Sequence, residues 1–180
     1  MRPARQGAFD GLCGVYAIIN ALELVGVTGR RSAIHEELFM ELIHSLGAAA
    51  LLSAMHDGLE SWQLVRAAEI GFAQLEHDHG LRLAISQPFD PSEFGAPEDF
   101  YEALRKRVAS PRTAVILHVS RAGRDHWTVA RSFQGCRLLL RDSAGTPSLD
   151  LRRLEVGARR YRVDPSQTLI IKRVGARRAR

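Results

Sequence analysis

The 180-residue chain contains only two cysteines, Cys13 and Cys136, which are too few for a disulfide framework or a cysteine-based metal cluster. It has no run of about eighteen consecutive apolar residues, the length that a membrane span requires. Its first residues include no apolar signal region. We therefore expect a cytoplasmic protein without a membrane partner, although export by a route that reads no N-terminal signal is also compatible with the sequence.

Lysine is scarce as well, because all but Lys106 and Lys172 of the 25 Lys and Arg residues are arginine. The formal net charge is +5, and the positive residues are densest over 159–162 and 173–180. An arginine-rich surface attracts nucleic acid or an acidic partner. No helix-turn-helix pattern, zinc-finger pattern or aromatic-interleaved basic stretch accompanies the charge, so a solvated basic surface is favoured and nucleic acid is not an expected partner.

Signatures of cofactor and metal sites are also missing. No glycine-rich phosphate-binding loop is present, which argues against a nucleotide enzyme, and no cofactor is expected. His77, Asp78 and His79 form a possible metal-ligand trio, but no cysteine or distant third ligand completes it. We interpret these three residues as a polar turn and predict no metal site.

The length fits one domain with a real core, over 1–180, and the periodicity changes within it. A helical half over about 1–109 precedes a sheet half over about 110–174 and a basic tail over 175–180. The predicted helices and their boundary signals are 13–25 ending at Gly26, a second helix capped by Ser32, 59–70 stopping at Gly71, and 98–108 after a proline-rich loop at 88–97. The predicted strands are 113–119, 127–133, 137–141 and 168–172. Helices followed by neighbouring strands predict an α+β fold with an antiparallel sheet.

Cys13 has the sequence context of a nucleophile. It lies at the predicted start of a buried helix, where unpaired backbone N–H groups and the helix dipole favour a thiolate. Gly11 and Gly14 flank it and would leave room for a substrate backbone, whereas the carboxylate of Asp10 would oppose a thiolate. The segment alone fits a small hydrophobic cysteine packed in a helix equally well.

His126 and Asp142 complete a possible triad. His126 opens a predicted strand and Asp142 ends the next one, and the turn at 134–135 joins the two strands. Antiparallel neighbours joined in this way place both side chains at the same end of the sheet. Asp142 could then hold the imidazole in one tautomer while His126 acts as the base for Cys13. The side-chain amide of Gln6 and the N–H of Cys13 could donate to an oxyanion.

The remaining chemically interesting side chains have simpler interpretations. His118 lies in an apolar strand and is expected to be a core histidine. Trp62 and Trp127 are expected in the core as well, and Cys136 is expected to be a hairpin residue without a catalytic role.

These motifs resemble papain-like cysteine peptidases, and in particular the bacteriocin-processing branch that removes double-glycine leader peptides. The strongest segments are Gln6, DGLCGVYA over 10–17, HWTV over 126–129 and LRDS over 140–143, and weaker similarity covers 61–72, 149–154 and 169–171. The resemblance implies a papain-like fold, a triad of Cys13, His126 and Asp142, an oxyanion role for Gln6 and a peptide or protein substrate. Gln6 stands seven residues before the cysteine, where the family usually has five or six.

Three functions are compatible with this reading. The first is hydrolysis of a peptide or isopeptide bond through a thioester, by a leader peptidase or by an enzyme with another substrate. The second is deamidation or transglutaminase-type acyl transfer on the same triad. The third is a non-catalytic papain-like module that binds protein or nucleic acid through its arginine-rich face. No oligomeric state is predicted.

Overall fold

The computed structural model describes residues 3, 11–27, 33–121, 124–153 and 162–175, so Gln6, Asp10 and Ser32 lie outside the described residues. The described residues form an α+β fold with four α-helices and an antiparallel sheet. The helices are α1 (Cys13–Leu24), α2 (Ala33–Asp57), α3 (Ser61–His79) and α4 (Pro97–Val108). The strands are β1 (Leu83–Ser86), β2 (Thr113–Arg121), β3 (Arg124–Gln134), β4 (Arg137–Arg141), β5 (Ser148–Asp150), β6 (Arg162–Val163) and β7 (Leu169–Arg173).

The strands run in the order β1-β7-β2-β3-β4-β5, and β6 pairs with β2. All the described pairings are antiparallel. The β3–β4 hairpin turns at Gly135, whose φ of 55° lies in the left-handed region that suits glycine. The four strands predicted from the sequence are all present, whereas β1, β5 and β6 were not predicted. β1 lies in the predicted helical half but pairs with β7, so the sheet draws on both halves.

Both faces of the sheet are covered, because side chains alternate along each strand. Ile116 of β2 and Trp127 of β3 pack with α1, α2 and α3 on one face. Val115 and Leu117 of β2 pack with α4 on the other face. On the first of these faces, the N-terminal end of α1 packs against β3.

α1 follows the sequence prediction closely. Nine of its residues are buried, as its nearly continuous apolar sequence indicates. Gly14 lets the helix approach α3, because a Cβ there would lie 2.7 Å from both methyl groups of Leu64. The chain leaves the helix at Gly26, with φ 83°, which confirms the predicted end.

The prediction that α3 stops at Gly71 is wrong. The helix continues to His79 and ends at Gly80 in the left-handed conformation, with φ 61° and ψ 19°. Gly71 serves packing instead, because a Cβ there would lie 2.6 Å from Cδ1 of Leu38 on α2. His77 and His79 therefore belong to the last turn of a helix, and not to a polar turn as expected.

α2 is the one helix in the described part of the chain that is long and apolar enough to cross a membrane, with mean hydropathy 1.6 over its most apolar window. Length and composition alone are weak evidence of a span. At Gly47 the backbone is not helical, with φ 71° and ψ 164°, and neither part reaches the roughly 20 residues of a spanning helix. Leu38 and Leu42 in the first part are fully buried in the core.

Candidate active site

Cys13 is the first residue of α1 and is 6% exposed. The N–H groups in the first turn of a helix have no intrahelical acceptors, and the helix dipole is positive there. The backbone N–H of Trp127 on β3 donates a hydrogen bond to the Cys13 sulfur at 3.4 Å. The sulfur therefore lies where the start of a helix meets the middle of the sheet.

The glycines beside Cys13 have a different role from the one predicted. A Cβ at Gly11 would overlap the backbone carbonyl of Ala54 in α2, and one at Gly14 would overlap Leu64 in α3. Both glycines permit close contacts within the protein, so the expectation that they leave space for a substrate backbone is wrong. Their effect on the site is indirect, because they allow α1, which carries Cys13, to pack closely against α2 and α3.

His126 and Asp142 meet as the strand register predicts. Val129 of β3 pairs with Arg141 of β4, so the residue after Arg141 lies near the part of β3 that contains His126. Nε2 of His126 is 2.5 Å from Oδ1 of Asp142. His126 is the third residue of β3 and not its first, because the strand begins at Arg124.

The charge states of this pair follow from its surroundings. Burial by itself lowers the pKa of His126, but hydrogen bonds to Asp142 and Cys13 and the negative charge of both raise it to about 9. Burial raises the pKa of Asp142, but His126 and the N–H of Thr146 lower it below its ordinary value. At neutral pH the imidazole is protonated and the carboxylate is ionised.

Nε2 of the imidazole is taken by Asp142. Cys13 also acts on the imidazole, since it raises the pKa of His126. The side chain of Asp142 is only 1% exposed, and its Oδ2 accepts a hydrogen bond from the N–H of Thr146 at 2.8 Å. The turn after β4 therefore holds the carboxylate in one orientation toward His126.

Two cavities adjoin these residues. The first, called the Cys13 cleft below, has a volume of 260 Å³ and is lined by Cys13, Leu59, His118 and Trp127 among others. The second has a volume of 640 Å³ and is lined by His126, Thr128, Asp142 and Leu149 among others. The sulfur and the imidazole therefore border open space on different sides.

Trp127 links the site to the helices. It is 2% exposed, which confirms the predicted core position, and its Nε1–H donates to the carbonyl of Leu59 at 2.8 Å. Its ring lies 4.7 Å from that of His118. His118 is half-buried and lines the cleft, so its predicted place in the core is wrong. Trp62 is also not in the core, being 62% exposed.

Among the described residues, the other predicted candidates do not join the site. Gln6 lies outside the described residues, so its oxyanion role stays a prediction. In the described ranges no group of three His, Cys, Asp or Glu residues could hold a metal ion. His79 lies 2.5 Å from Glu37 of α2 instead. Cys136 is exposed in the β3–β4 turn, which agrees with its predicted position in a hairpin.

The sequence analysis missed two hydrogen-bond donors, one to Asp142 and one to Cys13. The N–H of Thr146 binds Asp142, and an aspartate followed by Ser-Ala-Gly-Thr is typical of a turn in which the carboxylate accepts a backbone hydrogen bond. The N–H of Trp127 binds Cys13, and no local signal reveals it, since the two residues are 114 positions apart. Comparison of the chain with protein-family models and with curated proteins finds no match.

Proposed function

We propose that the protein is a papain-like cysteine hydrolase that cleaves a peptide or isopeptide bond through a thioester intermediate. The observation that carries the proposal is the position of the His126 imidazole, which meets Asp142 through Nε2 and is near enough to Cys13 for the cysteine to raise its pKa. A cysteine at the start of a buried helix, packed on an antiparallel sheet that bears the histidine and the acid, also supports it.

The first half of the reaction is acylation. The Cys13 thiolate attacks the carbonyl carbon, and the carbonyl π electrons move to oxygen to give a tetrahedral oxyanion. The Cys13 N–H, in the first turn of α1, is one donor for this oxyanion. The intermediate then collapses, the C–N bond breaks, and the imidazolium of His126 protonates the leaving amine. A thioester and a neutral imidazole remain.

The second half is hydrolysis of the thioester. Neutral His126 removes a proton from water, and the resulting hydroxide attacks the thioester carbonyl. Collapse of this second intermediate breaks the C–S bond and releases a carboxylic acid and the Cys13 thiolate. Asp142 stabilises the imidazolium that forms again and keeps the ring in place through both halves.

The decisive test is the pH dependence of iodoacetamide labelling, read by peptide mass. Imidazolium stabilises an adjacent thiolate, so we expect Cys13 at pH 6 to react about tenfold or more faster than Cys136, which is exposed and serves as the internal reference. His126→Ala should remove this advantage.

The matched control is His118→Ala, which removes the imidazole that lines the Cys13 cleft and should leave the labelling advantage in place. Labelling of Cys13 that is slower than that of Cys136 at every pH, and unchanged in His126→Ala, would identify a buried structural cysteine. The hydrolase proposal would then be wrong.

A further inference from the structure

The Cys13 cleft is acidic. Among the described residues, four carboxylates line it, those of Asp57, Glu60, Asp125 and Asp164, whereas Arg162 is the one Lys or Arg in that lining. The four belong to separate parts of the fold: the end of α2, the residue before α3, strand β3 and the turn before β7. The four residues do not form a continuous acidic segment of the sequence. The tertiary structure therefore brings their charges together in the Cys13 cleft.

Within the described ranges, ion pairs neutralise little of this negative charge. Arg162 reaches Asp164 only at 4.0 Å, and Asp164 otherwise accepts hydrogen bonds from Ser166. Asp125 accepts a hydrogen bond from the Ser120 hydroxyl. None of Asp57, Glu60 and Asp125 forms an ion pair with another described residue.

The sign of the cleft is opposite to that of the chain, whose formal net charge is +5. Excess negative charge also opposes the thiolate that the proposed reaction needs. Within the cleft, burial lowers the pKa of His118, while Asp125, Asp164 and Glu60 all act to raise it. A cation placed in the cleft would relieve both the repulsion among the carboxylates and the opposition to the thiolate.

We propose that the Cys13 cleft binds a positively charged group of the substrate, a Lys or Arg side chain or a free amine close to the scissile carbonyl. This inference rests on the proposed hydrolase function and names its substrate class. The cleft volume of 260 Å³ admits a side chain and not only a single water. A basic substrate would then be drawn to the sulfur and would favour the thiolate when it binds.

The test compares two methanethiosulfonate reagents of similar size, one with a trimethylammonium group and one with a sulfonate group. Each transfers its alkylthio group to the Cys13 thiolate to form a disulfide and releases methanesulfinate. Because a charged cleft concentrates ions of opposite sign, we expect the cationic reagent to react with Cys13 about tenfold faster than the anionic one. This preference should shrink in 1 M salt, where the Debye length is about 3 Å.

Two double variants locate the effect. Asp57→Asn/Glu60→Gln removes two exposed cleft carboxylates, and the charge preference at Cys13 should fall several-fold. Glu98→Gln/Glu102→Gln removes two exposed carboxylates from α4, on the opposite face of the sheet, and should leave the preference unchanged. An equal preference in wild type and in the Asp57→Asn/Glu60→Gln variant would overturn the inference.

A pair of peptide aldehydes extends the test to substrate-like ligands. One carries arginine and the other carries citrulline, its uncharged isostere, and each is scored by how well it protects Cys13 from alkylation. The arginine aldehyde should protect at a concentration at least tenfold lower; equal protection would overturn the inference. Labelling with an uncharged reagent separates failure of this inference from failure of the hydrolase proposal. If only the inference is wrong, the uncharged reagent still reacts faster with Cys13 in wild type than in His126→Ala.

Discussion

At the scale of single residues, Asp142 has the largest effect in keeping His126 protonated. Burial alone would lower the pKa of His126, and the hydrogen bond to Asp142 is the largest effect that opposes it. Because Asp142 is almost fully buried and held by the N–H of Thr146, it cannot turn to water without losing that contact. The protonated imidazole therefore depends chiefly on one carboxylate, with Cys13 as a further contributor.

Asp142→Asn should lower the pKa of His126 from about 9 toward its ordinary value of 6.5. The neutral amide cannot stabilise an imidazolium as a carboxylate does, which leaves Cys13 to oppose the effect of burial. NMR titration of the His126 ring protons measures the change. Asp150→Asn, at an exposed ion pair with Arg152, is the control and should not move the titration. A pKa that stays near 9 in Asp142→Asn would mean that another group holds the proton.

The sequence predicted that Cys13 begins a helix and that His126 and Asp142 meet across a hairpin, because a helix start and a hairpin are local features. It could not identify the N–H of Trp127 as a partner of Cys13, since that contact joins α1 to β3. The interpretation of Gly11 and Gly14 failed for the same reason. Their neighbours, Ala54 and Leu64, come from other helices.

At the scale of elements, an ion pair ties α1 to the strand that precedes Asp142. Nη2 of Arg141 on β4 lies 2.5 Å from Oε2 of Glu23 near the end of α1. The two side chains are 8% and 15% exposed, so solvent screens the pair only weakly. The helix that carries Cys13 and the strand that leads to Asp142 are therefore fixed to each other at the end of the helix remote from the sulfur.

Arg141→Met should lower the free energy of unfolding by about 3 kcal/mol, because it leaves the Glu23 carboxylate, which is only 15% exposed, without this partner. Urea denaturation measures the loss. Glu23→Met/Arg141→Met should recover much of it, since two apolar side chains leave no buried charge. The rate of Cys13 labelling gives a second readout, which should fall if the pair positions the helix. A loss below 0.5 kcal/mol in the single variant would show that the pair is effectively solvated.

The wrong prediction for the end of α3 is also explained by how the helices pack. A glycine after an apolar periodic stretch commonly ends a helix, but Gly71 lies where α2 and α3 approach closely, against Leu38. The true end, Gly80, has the left-handed conformation expected of such a residue. The sequence contains both glycines, and only the packing of α2 distinguishes them.

At the scale of the whole molecule, the ion pair of His126 and Asp142 links the site to the stability of the fold. The pKa of His126 rises from 6.5 to about 9 on folding. Its stabilisation is therefore fully present below pH 6.5 and is lost as the pH rises through 9. The shift corresponds to at most about 3 kcal/mol.

Urea unfolding at pH 6 and pH 10 tests this linkage. Wild type should lose more free energy of unfolding between the two pH values than His126→Gln, whose side chain does not titrate. Comparing the two proteins removes the contributions of tyrosines and lysines, which titrate in both. Equal losses would show that His126 keeps its ordinary pKa in the folded protein.

The sequence by itself determined the α+β class, the extent of α1 and α4, and the hairpin that brings His126 to Asp142. Periodicity, capping and turn residues are properties of neighbouring positions, so they can be read along the chain. Only the tertiary structure decided the length of α3, the contact of Trp127 with Cys13 and the acidic lining of the Cys13 cleft. Each of these depends on which surfaces meet when the helices pack on the sheet, and no local pattern encodes that choice.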